Sequence, residues 1–267
     1  MLGSAFIYLG LVIAVSGMVL VVRPLRRLGV PTRPRAAIIG ALGVVLIGVG
    51  FFLPVSESRI GHVETRLDEF APAWQFHERH AIRIAAPPAR VFDAIERVTA
   101  DEISLFRTLT WIRRGGQTLP KSILDAPRRE SLIDVATRAG FVRLADDAPR
   151  ELVIGAVMVA PAGTRGSLTP QVFGKALPPG FALATMNFRV TAEGLDRSFV
   201  TTETRVYANS PSVRRRFAAY WRVIYPGSAI IRVMWLRAIQ RRATAPMTVG
   251  EGAVSRHHRS SHASRPA

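Results

Sequence analysis

The chain opens with two long runs of apolar residues, 4–22 and 36–54, and neither run contains a charged side chain. A helix rises about 1.5 Å per residue, so about 20 such residues cross the hydrocarbon core of a bilayer. Residues 1–4 lack the basic side chains that begin a signal peptide, and no small-residue cleavage site precedes Arg23. The pattern therefore predicts two membrane-spanning helices, in preference to a cleaved signal or a buried core helix.

Glycines recur along the second run, at Gly40, Gly43, Gly48 and Gly50. Glycine is frequent in membrane helices and allows two backbones to approach closely. Gly40 and Gly43 do not have the GxxxG spacing, so no dimer motif is predicted there.

The short connector between the two runs holds five arginines and no acidic residue: Arg23, Arg26, Arg27, Arg33 and Arg35. Basic residues close to membrane spans tend to stay in the cytoplasm. The charge bias therefore predicts a protein with two spans, a cytoplasmic connector, and both termini and the soluble part outside. The first partner expected for such a chain is the lipid bilayer itself.

The formal net charge of +17 is unevenly distributed along the 267 residues. The connector supplies five positive charges and residues 210–242 supply eight without an acid, whereas residues 55–209 hold 20 basic and 18 acidic residues. No nucleic-acid recognition motif accompanies the basic residues, so a nucleic-acid partner is not expected. Arginines beside a bilayer are instead attracted to anionic head groups.

Composition also restricts the chemistry. The chain has no cysteine, which excludes disulfides and thiolate metal sites. Three histidines near the C-terminus, His257, His258 and His262, lie in a segment rich in small polar residues, where a short histidine tract is a weak metal signal. Neither a metal nor a cofactor is predicted.

The composition divides the chain into four parts. Residues 1–54 form the two-helix transmembrane hairpin, and residues 55–73, charged and poor in core residues, form a linker or stalk that is partly helical. Residues 74–245 are enough for one compact domain. Residues 246–267 have the composition of a disordered tail.

Within the domain, the hydrophobic period changes several times. Residues 80–85 alternate as a strand does, and from Pro88 a helical period begins with Val91, Phe92 and Ile95 on one face. Further helices are predicted at 102–113 and 131–139, and further strands at 141–144, 151–159, 182–190 and 198–208. This order predicts an antiparallel meander preceded by short helices.

The last helix has the clearest periodic stripe in the domain: Phe217, Trp221, Ile224, Ile231, Trp235 and Ile239. These spacings keep to one face at 3.6 residues per turn, so the helix is expected to pack lengthwise on a sheet. Pro226 removes a backbone donor midway, which predicts either a kink or a break into two helices.

The run HAIRIAAPPARVFDAIERV resembles the first strand and helix of the START-like superfamily, also called SRPBCC or polyketide cyclase-like. The segments TTETRV and FAAYWRVIYPGSAIIRVMWLRAIQRR are similar to an uncharacterised bacterial subgroup of it. The resemblance covers residues 80–242 and implies an α+β helix-grip fold, an antiparallel sheet wrapped around a long C-terminal helix, here in a bacterial membrane. The two apolar runs are not part of the family pattern.

The resemblance implies a deep apolar cavity between sheet and helix that binds a hydrophobic small molecule or a lipid. The residues expected to bind this ligand are Phe92, Met186, Phe188, Arg205, Trp221 and Trp235. An ordinary packed core would use the same apolar residues. The Pro- and Gly-rich stretch 160–180 is a candidate lid for such a cavity.

Few residues are candidates for catalysis. Glu203 and Arg205 share one strand face, either as a solvent-side ion pair or, if that face is inward, with Arg205 anchoring an acidic ligand. Asp101 and Glu102 suit a helix start, and His77 and His80 are best interpreted as satisfied surface histidines.

No G-x-S-x-G, P-loop or H-E-x-x-H motif occurs, so catalysis is not expected. Lipid binding is the leading functional hypothesis. A non-catalytic assembly module that binds a membrane protein, and a cyclase- or aromatase-type enzyme, are the alternatives.

Overall fold

The computed structural model describes residues 2–23, 32–117, 123–164, 170–174 and 177–246. Most of the connector, part of the candidate lid and nearly all of the tail with its three histidines lie outside the described residues. Two apolar helices come first, α1 (Leu2–Val22) and α2 (Arg33–Phe52). Both are long and apolar enough to cross a membrane, judged by length and composition. We call the pair the apolar hairpin.

Glycines hold the apolar hairpin together through close backbone contact. Gly3, Gly10 and Gly17 are buried on α1 at intervals of seven residues, and Gly43 and Gly50 are buried on α2 at the same interval. A Cβ atom added at Gly43 would lie 2.3 Å from the backbone nitrogen of Ala14. Gly48 has nothing within 4 Å of such an atom, so the predicted role in close approach holds for Gly43 and Gly50 and not for Gly48.

The remainder of the chain is built around a five-stranded antiparallel sheet in the order β3-β7-β6-β5-β4. After the apolar hairpin, the elements in chain order are β1 (Ser58–Arg59), α3 (Arg66–Phe70), β2 (Ala73–Trp74), β3 (Phe76–Ile84), α4 (Pro88–Arg97), α5 (Phe106–Arg113), α6 (Leu132–Arg138), β4 (Phe141–Asp147), β5 (Glu151–Val159), β6 (Ala182–Ala192), β7 (Ser198–Ala208) and α7 (Pro211–Thr244). The predicted α+β fold class and its meander are confirmed.

One predicted helix differs from the structure. The expected helix over 102–113 is a short 3-10 turn at Ala100–Glu102 followed by α5, which begins at Phe106. Leu105 between them has a left-handed backbone with φ of 62°. This conformation interrupts the helix, although the hydrophobic period continues through it.

The long helix α7 lies across one face of the sheet, which we call the inner face. Its buried side chains include Phe217, Trp221, Trp235 and Ile239 of the predicted stripe. Pro226 lies inside α7, which runs without a break from Pro211 to Thr244. The helix-grip architecture predicted from the sequence is therefore confirmed by strand order and helix placement.

The segment 55–73 is not a free-standing stalk. β1 pairs with β2, and α3 packs on the face of the sheet opposite α7, which we call the outer face. Leu67 of α3 is fully buried in a small cluster with Ala145 and Val153. The predicted partial helicity is present, but the segment is part of the packed structure, because Leu67 covers apolar residues that the outer face would otherwise expose.

Candidate functional site

Four of the six predicted ligand-binding residues lie between the sheet and the helices of the inner face. Phe92, Met186, Phe188 and Trp235 are all buried in one core cluster. The ring centroids of Phe188 and Trp235 are 5.0 Å apart in an edge-to-face arrangement. These side chains fill space in the present structure, and their contact with a ligand stays a prediction.

The same interface also contains a polar cluster, which we call the interior polar cluster. It is made of Glu78, His80, Thr204, Ser228 and Arg232. Glu78 is almost fully buried, and its carboxylate bonds the His80 ring nitrogen at 2.8 Å and accepts from the Ser228 hydroxyl at 2.9 Å. Arg232 donates to the Thr204 hydroxyl at 3.0 Å. Because Glu78 and His80 are two residues apart on β3, both point to the inner face.

Arg232 uses only part of its donor capacity. Its Nη1 atom is buried and has no hydrogen-bond partner among the described residues, and the same is true of Nε1 of the neighbouring Trp235. Burial lowers the pKa of Arg232 to about 10, with Glu78 opposing the shift and Arg113 adding to it. Arg232 of the interior polar cluster and the adjacent Trp235 therefore each have an unused donor atom, which a ligand acceptor or a water could use.

A cavity with both apolar and polar walls lies between the apolar hairpin and the domain, and we call it the junction cavity. Its volume is about 540 Å³. Apolar walls come from Leu2, Trp74, Phe76 and Trp221, and polar groups come from Ser4, Gln75, His77 and Arg222. Trp221, a predicted ligand-binding residue, therefore lines a cavity, although not the one expected between sheet and helix.

Arg222, on the wall of the junction cavity, links the domain to the apolar hairpin. Its Nη1 donates to the carbonyl oxygen of Phe51 at 2.6 Å, and its Nη2 donates to the carbonyl oxygen of Leu53. A Cβ atom on Gly3 would lie 2.5 Å from Arg222 Nε, so the glycine makes room for the guanidinium. Burial lowers the pKa of Arg222. None of the ion pairs found among the described residues includes Arg222, so its positive charge lies buried beside the junction cavity.

Arg205, the sixth predicted ligand-binding residue, lies on the outer face. It donates to Asp68 at 2.7 Å and to Glu203 at 2.6 Å, and its guanidinium lies 4.1 Å from the ring centroid of Trp74. The inward orientation on which a ligand-anchoring role depended is therefore absent. The alternative of an ion pair with Glu203 is present, but the pair is mostly buried because α3 covers it.

The carboxylates around Arg205 are held in their charged form. Burial alone would raise the pKa of Asp68, but N–H groups of Glu64 and Thr65 and the Arg205 guanidinium outweigh it and lower that pKa. Burial likewise opposes the shift at Glu203, where the hydrogen bond from His77 and the charge of Arg205 lower the pKa. The network is a buried ion cluster in which Arg205 bonds both carboxylates.

The remaining candidate residues have structural partners. Glu102 accepts from the Thr99 backbone at 2.8 Å and pairs with Arg242 at 2.6 Å, in agreement with a helix-start role. His77 and His80 are hydrogen-bonded as expected but lie on opposite faces of β3, half-buried rather than at the surface. Within the candidate lid, the short 3-10 helix Pro170–Gly174 contacts β4 and α3 on the outer face. Within the described ranges, no three His, Asp or Glu side chains are grouped to hold a metal ion.

Two features of the site were missed from the sequence. Gly3, Gly10 and Gly17 recur at seven-residue intervals on α1, and Gly43 and Gly50 share that interval on α2; this spacing is visible in the sequence, but no prediction used it. Glu78 and Arg232 are 154 positions apart in the chain, and no local pattern links them. The one sequence signal that could have indicated Arg232 is its position next to Ile231 and three residues before Trp235, beside the apolar stripe of α7.

No family model matches the chain, and no curated protein matches it at a significant level. Several solved structures are similar to part of it. TTHA0849 from Thermus thermophilus has 12% identity over 62% of this chain and 96% of its own, with a TM-score of 0.25. The Zhui aromatase/cyclase from Streptomyces sp. R1128 has 12% identity over 64% of this chain and 96% of its own, with a TM-score of 0.24.

The third structure is the di-domain ARO/CYC BexL from the BE-7585A biosynthetic pathway, with 14% identity over 64% of this chain and 51% of its own, and a TM-score of 0.27. Two of the three proteins are aromatase/cyclases by name. The helix-grip assignment rests on the strand order and α7 of this chain.

Proposed function

We propose that the chain is a membrane-anchored helix-grip domain that binds an amphipathic small molecule, a lipid or lipid-like acid, in the junction cavity. The observation that carries this proposal is the position of the cavity, whose walls come both from the apolar hairpin and from the domain. With the hairpin in a bilayer, this position is at the membrane surface. Lipids are concentrated there, so the apolar hairpin keeps the cavity close to the proposed ligand.

The chemistry of the cavity walls supports an amphipathic ligand. Its volume of about 540 Å³ is within the range of about 300–1,000 Å³ common to small-molecule sites. Trp74, Phe76 and Trp221 offer apolar and aromatic surface, and Arg222 offers a buried positive charge. A buried cation is stabilised by an opposite charge, so an anionic head group would gain more here than a neutral one.

Native mass spectrometry of the full chain tests the proposal. The protein is purified in detergent, offered phosphatidylglycerol, phosphatidylcholine or a free fatty acid, and measured with its bound molecules. Substitution of Ser56, an exposed residue of the cavity wall, by tryptophan fills the cavity mouth. Ser56→Trp should lose bound anionic amphiphile, while Ser104→Trp, at an exposed position outside the lining, should retain it. Equal occupancy in the two variants, or none in the unaltered chain, would refute the proposal.

The interior polar cluster favours a second candidate function, a cyclase- or aromatase-type enzyme. A carboxylate that orients a histidine is a common acid–base arrangement, and Glu78 and His80 form one between sheet and helix. Glu78→Gln should then abolish turnover of a polyketide-like substrate while leaving the fold intact. Turnover that survives this substitution would contradict an enzyme mechanism based on Glu78 and His80.

The packing of Phe92, Met186, Phe188 and Trp235 favours a third candidate, the non-catalytic assembly module. A filled interior needs no ligand, and the function would then lie on the surface. The module would copurify with another membrane protein and without a bound amphiphile, which the same mass measurement distinguishes.

A further inference from the structure

The outward side of α7 carries an apolar stripe exposed to solvent. Tyr220, Val223 and Ile230 are exposed at 38, 52 and 41%. With Gly227 between them, their spacings of three, four and three residues keep them on one side of the helix. The opposite side of α7 packs on the sheet through Trp221 and Trp235, so α7 is apolar on two sides.

Helix α5, which contacts α7, also exposes apolar side chains. Trp111 and Ile112 are exposed at 56 and 60%. Between α5 and α7, the guanidinium of Arg113 lies 5.5 Å from the ring centroid of Tyr220 and bonds its hydroxyl. The two helices are therefore joined beside the stripe, and we call the combined surface the outward patch: Trp111, Ile112, Tyr220, Val223 and Ile230.

A hydrogen bond fixes the level of the outward patch relative to the apolar hairpin. The Tyr8 hydroxyl of α1 donates to the carbonyl oxygen of Val223 at 2.5 Å. Tyr8 follows Leu2 by six residues, which is about 9 Å along a helix axis. Helix α7 thus lies against the domain-side end of the hairpin, where Arg222 also bonds the carbonyl oxygens of Phe51 and Leu53. In a bilayer crossed by the hairpin, this level is the boundary between head groups and acyl chains.

The charge around the outward patch suits the same location. Arg214, Arg215 and Arg216 lie in the first turns of α7, and residues 210–242 contain no acidic side chain. Arginines at a membrane surface are attracted to anionic lipids. An apolar stripe flanked by arginines is the pattern of helices that lie in the membrane interface.

We infer that α5 and α7 lie in the bilayer interface, with the outward patch in contact with lipid. This inference rests on the membrane-spanning hairpin of the proposed function. The domain would then be held by three elements at the membrane, two that cross it and one helical surface that lies in it. The junction cavity would open within the head-group layer.

Spin labelling tests the inference, because the chain has no cysteine and any single cysteine can be labelled alone. Full-length Val223→Cys and Ile230→Cys variants are labelled and placed in vesicles of phosphatidylcholine and phosphatidylglycerol. Leu195→Cys, exposed at 91% in the turn between β6 and β7, is the solvent reference, and Leu11→Cys on α1 is the membrane reference. The relaxation of each label is then measured with oxygen, which concentrates in lipid, and separately with a water-soluble nickel complex.

We expect the oxygen-to-nickel accessibility ratio at Val223 and Ile230 to exceed that at Leu195 several-fold. A ratio equal to the Leu195 value would overturn the inference, and so would suppression of both collisions, which would mean that protein covers the patch. The Leu11 label distinguishes failure of the proposed function from failure of this inference. If Leu11 is also accessible to nickel, the membrane-spanning hairpin of the proposed function fails; if only Val223 and Ile230 are, the interface inference alone fails.

Discussion

Arg222 donates a hydrogen bond to the carbonyl oxygen of Phe51 at 2.6 Å, so a cation of α7 closes the C-terminal end of α2. The last carbonyl groups of a helix have no partner within it, and they form the negative end of the helix dipole. One guanidinium therefore provides hydrogen-bond donors for carbonyl groups at the end of the apolar hairpin and joins the hairpin to the domain.

Arg222→Met is expected to loosen the domain from the apolar hairpin. Loss of the guanidinium leaves two carbonyl groups without their donor, which costs about 1–3 kcal/mol for each buried group. Limited proteolysis of the full chain in detergent should show faster cleavage between α2 and β1. Arg216→Met, at an exposed position on the same helix, should leave the cleavage rate unchanged. Protection equal to the unaltered chain in both variants would contradict the connecting role.

Gly43→Ala is expected to destabilise the apolar hairpin, whereas Gly48→Ala is not. A Cβ atom at Gly43 would lie 2.3 Å from the Ala14 nitrogen, so the helices must separate, while the position at Gly48 is open. Overpacking of this kind costs about 1–3 kcal/mol. Unfolding of the full chain in mixed detergent micelles measures the difference. Equal midpoints for the two variants would show that the helices do not pack through this glycine.

Arg205→Met should destabilise the domain strongly. Removal of one partner from a buried ion pair leaves uncompensated charge and costs about 3–5 kcal/mol. Arg83→Met is the matched control, since the pair of Arg83 with Glu193 is exposed and such pairs contribute about 1 kcal/mol or less. Chemical unfolding followed by tryptophan fluorescence measures both. Similar losses in the two variants would mean that Arg205 acts as a surface residue.

Acidification should reduce the stability that the outer-face network of Arg205, Asp68 and Glu203 contributes. Asp68 and Glu203 have pKa values below their usual 3.8 and 4.5 in the folded chain. Their stabilising effect is therefore complete above pH 4.5 and is lost as the pH falls through the lowered folded values. The free energy of unfolding should decrease on acidification, and Asp68→Asn should flatten the decrease. Asp196→Asn, in an exposed loop, should leave the slope as it is.

The periodic parts of the fold could be predicted from the sequence because burial imposes its period on the residues. Trp221, Trp235 and Ile239 recur at helical spacing on α7, and Met186 and Phe188 alternate on β6. The two apolar runs needed only length and the absence of charge. Leu105 was the exception, because its left-handed backbone leaves no mark in the hydrophobic period.

The candidate site could be predicted only in part, because its polar contacts join distant parts of the chain. Arg205 and Asp68 are 137 residues apart and meet only once α3 packs on the outer face. The same holds for Arg222 and Phe51, which are separated by 171 residues. Sequence patterns report which side of an element is buried, but they do not report which element covers it.

The shared walls of the junction cavity make the chain a single working unit. A fragment that begins at Trp74 would lack Leu2, Ser4 and Leu53 of the cavity wall, and also Asp68, the buried counter-ion of Arg205. Under the proposed function, ligand screens on such a truncated domain would return false negatives even if the domain stayed soluble. The apolar hairpin is thus a structural part of the junction cavity.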